Sequence, residues 1–452
     1  MRLAWALLPV VLVLAVGCRG GTKAGGRTRA HTVLLRIANH DGEGRDIAEY
    51  VNAVERLSAG SIRLRVLNDW RAHELAYDRG TIADLRAGKV DLAKVGIRSF
   101  DTLGDGDFRA LMAPFLVDTL ALEQKILRSS LPRQMLAGVT KLGVVAVAML
   151  PGEPRRAFGQ RRRFLSRSSY RGALFGTLPS RVATATLQAL GARRRIYTAG
   201  DLPYAFDGAE LDLRTIEEAG YDTSVTSITT NVVFWPRAFV VVANEKVLQQ
   251  LSSEQREVLR RAGSEALGPA VAHLRTEEQD EAGVLCRRGS AAFVRATAAQ
   301  LAGLRAAVRP VYAELERDRK TRSFISAIES MRRRSPPPPT LDCSRSTLAS
   351  RAATPLDGTW QMTAGRAHGV DAGRYLLVFH RGRVVFRHLT PPKWGGPGRF
   401  VVHGNTLEIR FADGADAVYR WNVYRGRLML RYTDEEVGPP NPTFRPWSRS
   451  NS

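Results

Sequence analysis

Cysteine is scarce in this chain: there are three in 452 residues, Cys18, Cys286 and Cys343. No Cys-x-x-Cys pair occurs, which excludes the usual thiol-exchange motif and cysteine-rich zinc cages. Histidine numbers eight, and His31, His40 and His73 near the N-terminus lack metal-site spacing. Neither His-Glu-x-x-His, nor Gly-x-Ser-x-Gly, nor a phosphate-binding or dinucleotide-binding glycine loop is present. With no nucleophile–base pair, metal cage or cofactor fingerprint, the expectation is a protein that is not an enzyme and uses neither cofactor nor metal. Beyond the first residues no apolar run is long enough for a transmembrane helix.

Acidic residues are also short in supply, 44 against 67 Lys plus Arg, for a net charge of +23. Such an excess fits nucleic-acid binding, adhesion to anionic lipid or an arginine-rich surface. The densest clusters are Arg161-Arg162-Arg163, Arg193-Arg194-Arg195 and Arg332-Arg333-Arg334, without interleaved aromatics or a nucleic-acid motif. A solvated basic surface that aids membrane apposition is therefore expected, with no nucleic-acid partner.

What is present begins with an export signal. Arg2 precedes an apolar run over residues 3–16, broken by Pro9 and too short to span a bilayer comfortably. It ends in Ala15-Val16-Gly17-Cys18, followed by Arg19-Gly20-Gly21-Thr22. Small residues before a cysteine resemble a bacterial lipobox. That resemblance implies cleavage before Cys18 and a multiply acylated anchor at the membrane's outer face, since one acyl chain anchors only marginally. An ordinary secretory signal with an incidental cysteine is the alternative. Residues 1–18 are thus assigned to the signal and residues 19–32 to a Gly-rich, basic tether. With Cys18 lipidated, Cys286 and Cys343 remain; export permits a disulfide between them, and two unpaired thiols are the alternative.

Residues 33–334 read as α/β. Strands are expected at 33–37, 62–66, 90–97, 142–150 and 239–243, and helices at 46–57 and 81–87, stopped by Gly60 and Gly88. The β-α-β-α-β order argues for a mainly parallel sheet. Ser252 and Gln255 have capping-box spacing and open a mostly helical stretch to about residue 330. Ser335-Pro336-Pro337-Pro338-Pro339 is a stiff, extended start to a linker at 335–354. From residue 355 to 452 short alternating runs separated by turn residues indicate a small antiparallel all-β domain, a barrel or a sandwich.

Several segments of residues 33–330 resemble the solute-binding proteins of TRAP (tripartite ATP-independent) transporters, of the DctP type. They are Leu57-Ser58-Ala59-Gly60-Ser61-Ile62, Leu85-Arg86-Ala87-Gly88-Lys89-Val90-Asp91-Leu92, Phe108-Arg109-Ala110-Leu111-Met112-Ala113-Pro114-Phe115, Tyr170-Arg171-Gly172, Leu187-Gln188-Ala189-Leu190-Gly191-Ala192, Asp207-Gly208-Ala209-Glu210, and the stretch from Asn231 to Asn244. Their order and spacing carry the match. The resemblance implies a two-lobed, periplasmic-binding-protein-like fold (type II) that closes on a small solute, usually a carboxylate, and delivers it to a membrane permease. Ligand-binding positions implied are Arg156, Arg162, Asp207, Glu210, Asn231 and Trp235. Two departures stand out. The family's carboxylate-clamping arginine falls on Gly176, and the asparagine after its Asp-Gly-x-Glu segment falls on Leu211. Either part of the anion site survives or the ligand differs, and Glu210 would favour an amine or hydroxyl-bearing solute. Leu356-Asp357-Gly358-Thr359-Trp360 resembles the start of a lipocalin-like domain; Trp360, Trp394, Trp421 and Trp447 are expected in its core and edges. The alternative to transport is a ligand sensor or surface-interaction protein that keeps the binding-protein fold.

Overall fold

The computed structural model describes residues 32–41, 45–71, 74–197, 206–218, 221, 225–288, 291–336, 341, 354–364, 373–380, 382–390, 392–403, 406–411, 416–424, 427–432 and 447–449. The expected signal, Cys18, the tether, Cys343 and most of the linker lie outside them. Eleven described strands build two sheets: β1 (Val33–Ala38), β2 (Ile62–Leu67), β3 (Leu92–Gly96), β4 (Val145–Leu150), β5 (Pro154–Gly159), β6 (Leu174–Thr177), β7 (Arg193–Ile196), β8 (Gly208–Leu211), β9 (Ser227–Pro236), β10 (Phe239–Ala243) and β11 (Ala292–Val294). The first sheet has the order β2-β1-β3-β10-β4 and the second β11-β9-β5-β8-β6-β7. Each is the centre of one lobe.

The expected parallel sheet is realised only in part. β1 runs parallel to β2 and β3, but β10 is antiparallel to both β3 and β4. The reason is chain path. β4 leads out of the first lobe into β5 of the second, and β9 returns into β10, so β10 enters the first sheet against the direction of its neighbours. The alternating run at 62–66 pairs in register with β1, Val33 opposite Ile62 and Ile37 opposite Val66. The helix expected at 81–87 runs from Tyr77 to Arg86, one turn longer at its start. Ser252 and Gln255 form the capping box: the Gln255 amide donates to Ser252 Oγ (3.1 Å), and the Ser252 amide to Gln255 Oε1 (3.0 Å). The helix they open, Ser253–Arg288, packs on the first lobe through Leu259 and Ala262, and Tyr50 donates a hydrogen bond to the Leu259 carbonyl (3.0 Å).

The arginine clusters have structural places. Arg193-Arg194-Arg195 forms the exposed edge strand β7, where charge discourages pairing with another chain. Arg332 and Arg333 close the helix Arg319–Arg333, where cations favour the helix dipole, and Arg332 also reaches Asp118 (2.5 Å).

The C-terminal strands β12 (Gly358–Ala364), β13 (Gly373–His380), β14 (Arg383–Thr390), β15 (Pro392–His403), β16 (Thr406–Phe411), β17 (Asp416–Tyr424), β18 (Arg427–Tyr432) and β19 (Trp447–Arg449) close into an antiparallel barrel. Among the described residues its interior is packed by side chains including Trp360, Tyr375, Phe379, Phe400 and Trp447, which form a core. Trp360 donates to the Leu356 carbonyl (2.7 Å). On the opposite face of β13 and β14, Leu376, Val378 and Val385 are also buried, and Arg387 stacks over Tyr221 of the second lobe at 4.9 Å. Leu341, inside the expected linker, is buried in the second lobe's core.

Candidate functional site

The two crossings between lobes touch each other. A Cβ on Gly152 would lie 1.9 Å from the Arg237 carbonyl oxygen, so only glycine fits where the β4–β5 crossing meets the β9–β10 crossing. The Arg237 amide donates to the Glu153 carbonyl across this point (2.9 Å). Beside it lies a cavity of about 170 Å³, walled by both lobes and by the crossing itself. Tyr77, Lys94 and Arg98 come from the first lobe, Arg155, Tyr197 and Tyr221 from the second, and Trp235 and Arg237 from the crossing.

Cations and carboxylates alternate along this cleft. Lys94 Nζ and Arg237 Nη2 each donate to Asp41, both at 2.5 Å. Arg237 Nε lies 3.8 Å from Asp212. Arg155 donates through Nε to Glu210 (2.5 Å), through Nη1 to Asp212 (2.7 Å) and through Nη2 to the Tyr197 hydroxyl (2.9 Å). The chain Lys94–Asp41–Arg237–Asp212–Arg155–Glu210 therefore runs from one lobe to the other. Arg98 pairs with Asp78 (2.8 Å), donates to the Tyr77 hydroxyl, and reaches across to the Pro179 carbonyl (3.2 Å). The His40 ring stacks on Tyr77 with centroids 3.4 Å apart.

Burial alone would push the Asp212 carboxyl up, but the fields of Arg237, Arg155 and Arg214 hold it far below the ordinary carboxylate range. Burial would likewise lower Arg155, yet Glu210, Tyr197 and Asp212 keep it well above its usual value. Both therefore stay charged across the physiological range. For His40 burial dominates and lowers its pKa. Burial raises Tyr77 to about 12, so its hydroxyl stays protonated.

The positions implied by resemblance are divided by the structure. Trp235 lines the cavity. Glu210, 2% exposed, stands directly behind it, held by Arg155 and by Thr177 Oγ1 (3.1 Å). Arg156 is not among the cavity-lining residues: its guanidinium pairs with Glu278 of the helix Ser253–Arg288. Its neighbour Arg155 is the one that faces the cleft. Adjacent residues of a strand point to opposite faces, so Arg155 meets the cleft and Arg156 the other side, while the register shift beside them leaves Phe234 of β9 unpaired. Arg162 donates to the Arg171 carbonyl (3.1 Å) away from the cavity. Asp207 accepts from the Leu174 amide (2.8 Å) and ties β6 to the turn before β8. Asn231 exchanges two hydrogen bonds with the Ala296 backbone, each 2.8 Å, and so acts as a strap. At Gly176 a Cβ would meet Tyr197 at 3.1 Å and Ala209 at 2.9 Å, so the tyrosine ring occupies the space beside the missing arginine. Leu211 lines the cavity where the resemblance expected an asparagine.

Sequence reading missed Asp41, Lys94, Arg98, Arg155, Asp212 and Arg237. Only Arg237 carries a sequence signal, as a charged break with Pro236 between two apolar strands. Among the described residues Glu153, Glu277 and Glu281 bring carboxylate oxygens close together, but Arg214 lies 3.3 Å from Glu153.

Two lobes joined by paired crossings, with a charged and aromatic cavity at the joint, define a solute-binding protein. The chain belongs to the bacterial extracellular solute-binding proteins, family 7 (DctP), whose profile matches residues 37–318. That family serves TRAP transport and is not a family of enzymes. Solved structures agree on the fold. A TRAP periplasmic solute-binding protein from Shewanella oneidensis with bound succinate is 16% identical, with a TM-score of 0.58 over 66% of this chain and 99% of that one. One from Roseobacter denitrificans with bound β-D-glucuronate is 15% identical at the same TM-score and coverage. One from Pseudomonas aeruginosa with bound L-malate is 18% identical, TM-score 0.55, over 62% of this chain and 99% of that one. No curated protein matches the chain.

Proposed function

We propose that this protein is an extracytoplasmic solute-binding lipoprotein that captures one small organic solute between its lobes and presents it to a TRAP-type permease, tethered through a lipid on Cys18. The observation that carries the reading is the cavity walled by both lobes and the crossing, because only such a site couples occupancy to lobe closure. The organic acids named for the similar structures put carboxylates among the solutes to try, beside uncharged and zwitterionic ones. Thermal-shift and calorimetric screening of the mature protein against carboxylates, sugars and amines tests it. A folded protein that no compound stabilises would count against solute capture. The lipobox resemblance supports the anchor, and metabolic labelling with an alkyne fatty acid, lost in Cys18→Ala, checks it. A sensor or surface-interaction role is a second reading, favoured by the barrel docked beside Tyr221. A permease encoded next to this protein would argue against it.

A further inference from the structure

The cleft already balances its own charge. In the chain of ion pairs that crosses it, Lys94, Arg237 and Arg155 are each held at 2.5–2.7 Å by Asp41, Glu210 or Asp212. These carboxylates have little freedom to leave. Glu210 and Asp212 are 2% and 0% exposed, and Asp212 is also gripped by the Thr215 amide (2.7 Å). A solute carboxylate reaching for Arg155 must either expel a buried carboxylate or sit within a few ångströms of two of them, and like charges in a poorly hydrated site repel strongly. The one position where the family resemblance expected an uncommitted arginine is Gly176, closed off by Tyr197.

We propose that the cleft takes a small polar solute of zero net charge, either an uncharged sugar or polyol or a zwitterion, rather than a free mono- or dicarboxylate. This rests on the reading of the cavity as the solute site. The volume of about 170 Å³ suits a compact solute. Trp235 and Tyr221 supply flat apolar walls, and their edges and the ordered charges beside them can hydrogen-bond hydroxyls without moving an ion pair. Asp212 stays ionised because Arg237 and Arg155 hold it so, which keeps the balance fixed through the physiological pH range.

The test is capture followed by identification. The full mature chain, stripped by unfolding and refolded, is equilibrated with small-molecule extract of its native host, spiked with glucose and glucuronate and with glutamine and glutamate. Retained molecules are identified by mass spectrometry. Retention of a solute of zero net charge is the expected result, and whether it is a sugar or a zwitterion separates the two sources. Retention of an anion instead overturns the charge inference while leaving solute capture standing. Retention of nothing by folded protein overturns solute capture and the inference with it. Asp41→Asn gives a second measurement. Asp41 is partly exposed, and removing its charge leaves Lys94 and Arg237 in excess, so glucuronate should gain at least tenfold in affinity relative to glucose. An unchanged ratio would contradict the proposal.

Discussion

At the scale of single residues, the cleft is governed by what each charge has beside it. Arg155 is 5% exposed and holds Glu210, Asp212 and Tyr197 at once. Arg155→Met would leave buried Glu210 without its ion-pair partner and Asp212 with only Arg237 and Arg214, so unfolding in urea should lose about 3–5 kcal/mol. For Asp212 the sign follows from its lowered pKa: its contribution is full above the ordinary carboxylate range and is lost as pH falls below about 4. Glu123 behaves in the opposite way. It lies beside the lobe crossing, where its Oε1 accepts from the Gly152 amide (3.0 Å), and burial raises its pKa from 4.5 to about 8. The folded protein therefore keeps a proton there that the unfolded chain releases, and the stability this confers is lost as pH rises from about 4.5 to 8. Thermal melts of Glu123→Gln should exceed those of the parent at pH 8 and match them at pH 5. Equal melting temperatures at pH 8 would contradict the assignment.

At the scale of elements, one contact joins the lobes by helix chemistry. Asp101 of the first lobe accepts from Ser180 Oγ (3.0 Å) and from the amides of Arg181 (2.8 Å) and Val182 (3.0 Å), at the start of the helix Arg181–Leu190 in the second. Burial raises the Asp101 pKa, and the hydrogen bonds from Val182, Ser180 and Arg181 at the helix start work against that rise. Asp101→Ala should destabilise by about 1–2 kcal/mol and shift the protein toward an open form. A larger radius of gyration in small-angle scattering would show the opening, and an unchanged radius would argue against a latch. Much at this scale was legible in sequence. Periodicity placed β1, β2, β10 and the helix Arg45–Leu57 to within a residue or so, and Ser252 and Gln255 announced their capping box. Such features are local. The antiparallel placement of β10 was not legible, because it depends on a chain crossing between lobes about ninety residues after β4. That Arg155 rather than Arg156 lines the cavity was hidden because two adjacent arginines point to opposite faces of β5, and which face meets the other lobe is decided by packing far away in sequence.

At the scale of the whole molecule, family 7 identity accounts for the lobes, and the barrel is an addition that touches the second lobe at a cavity-lining tyrosine. The departures at Gly176 and Leu211 were readable as missing family residues. Their consequence was not, since Tyr197 and Arg155 reach the same space from distant parts of the sequence. Cys286 is disulfide-bonded, and we infer from the sequence that its partner is Cys343, which lies outside the described residues. Peptide mapping without reduction should yield one cross-linked pair containing both; separate alkylation of the two would contradict it. Closing a loop of that length should add about 2–4 kcal/mol to stability.

The most direct test of the central claim is native mass spectrometry of the mature protein recovered from its host. Solute capture in the cleft predicts one small molecule per chain, released on unfolding and no longer retained when Trp235→Ala removes a cavity wall. Folded protein that carries no small molecule and takes none from host extract would contradict it.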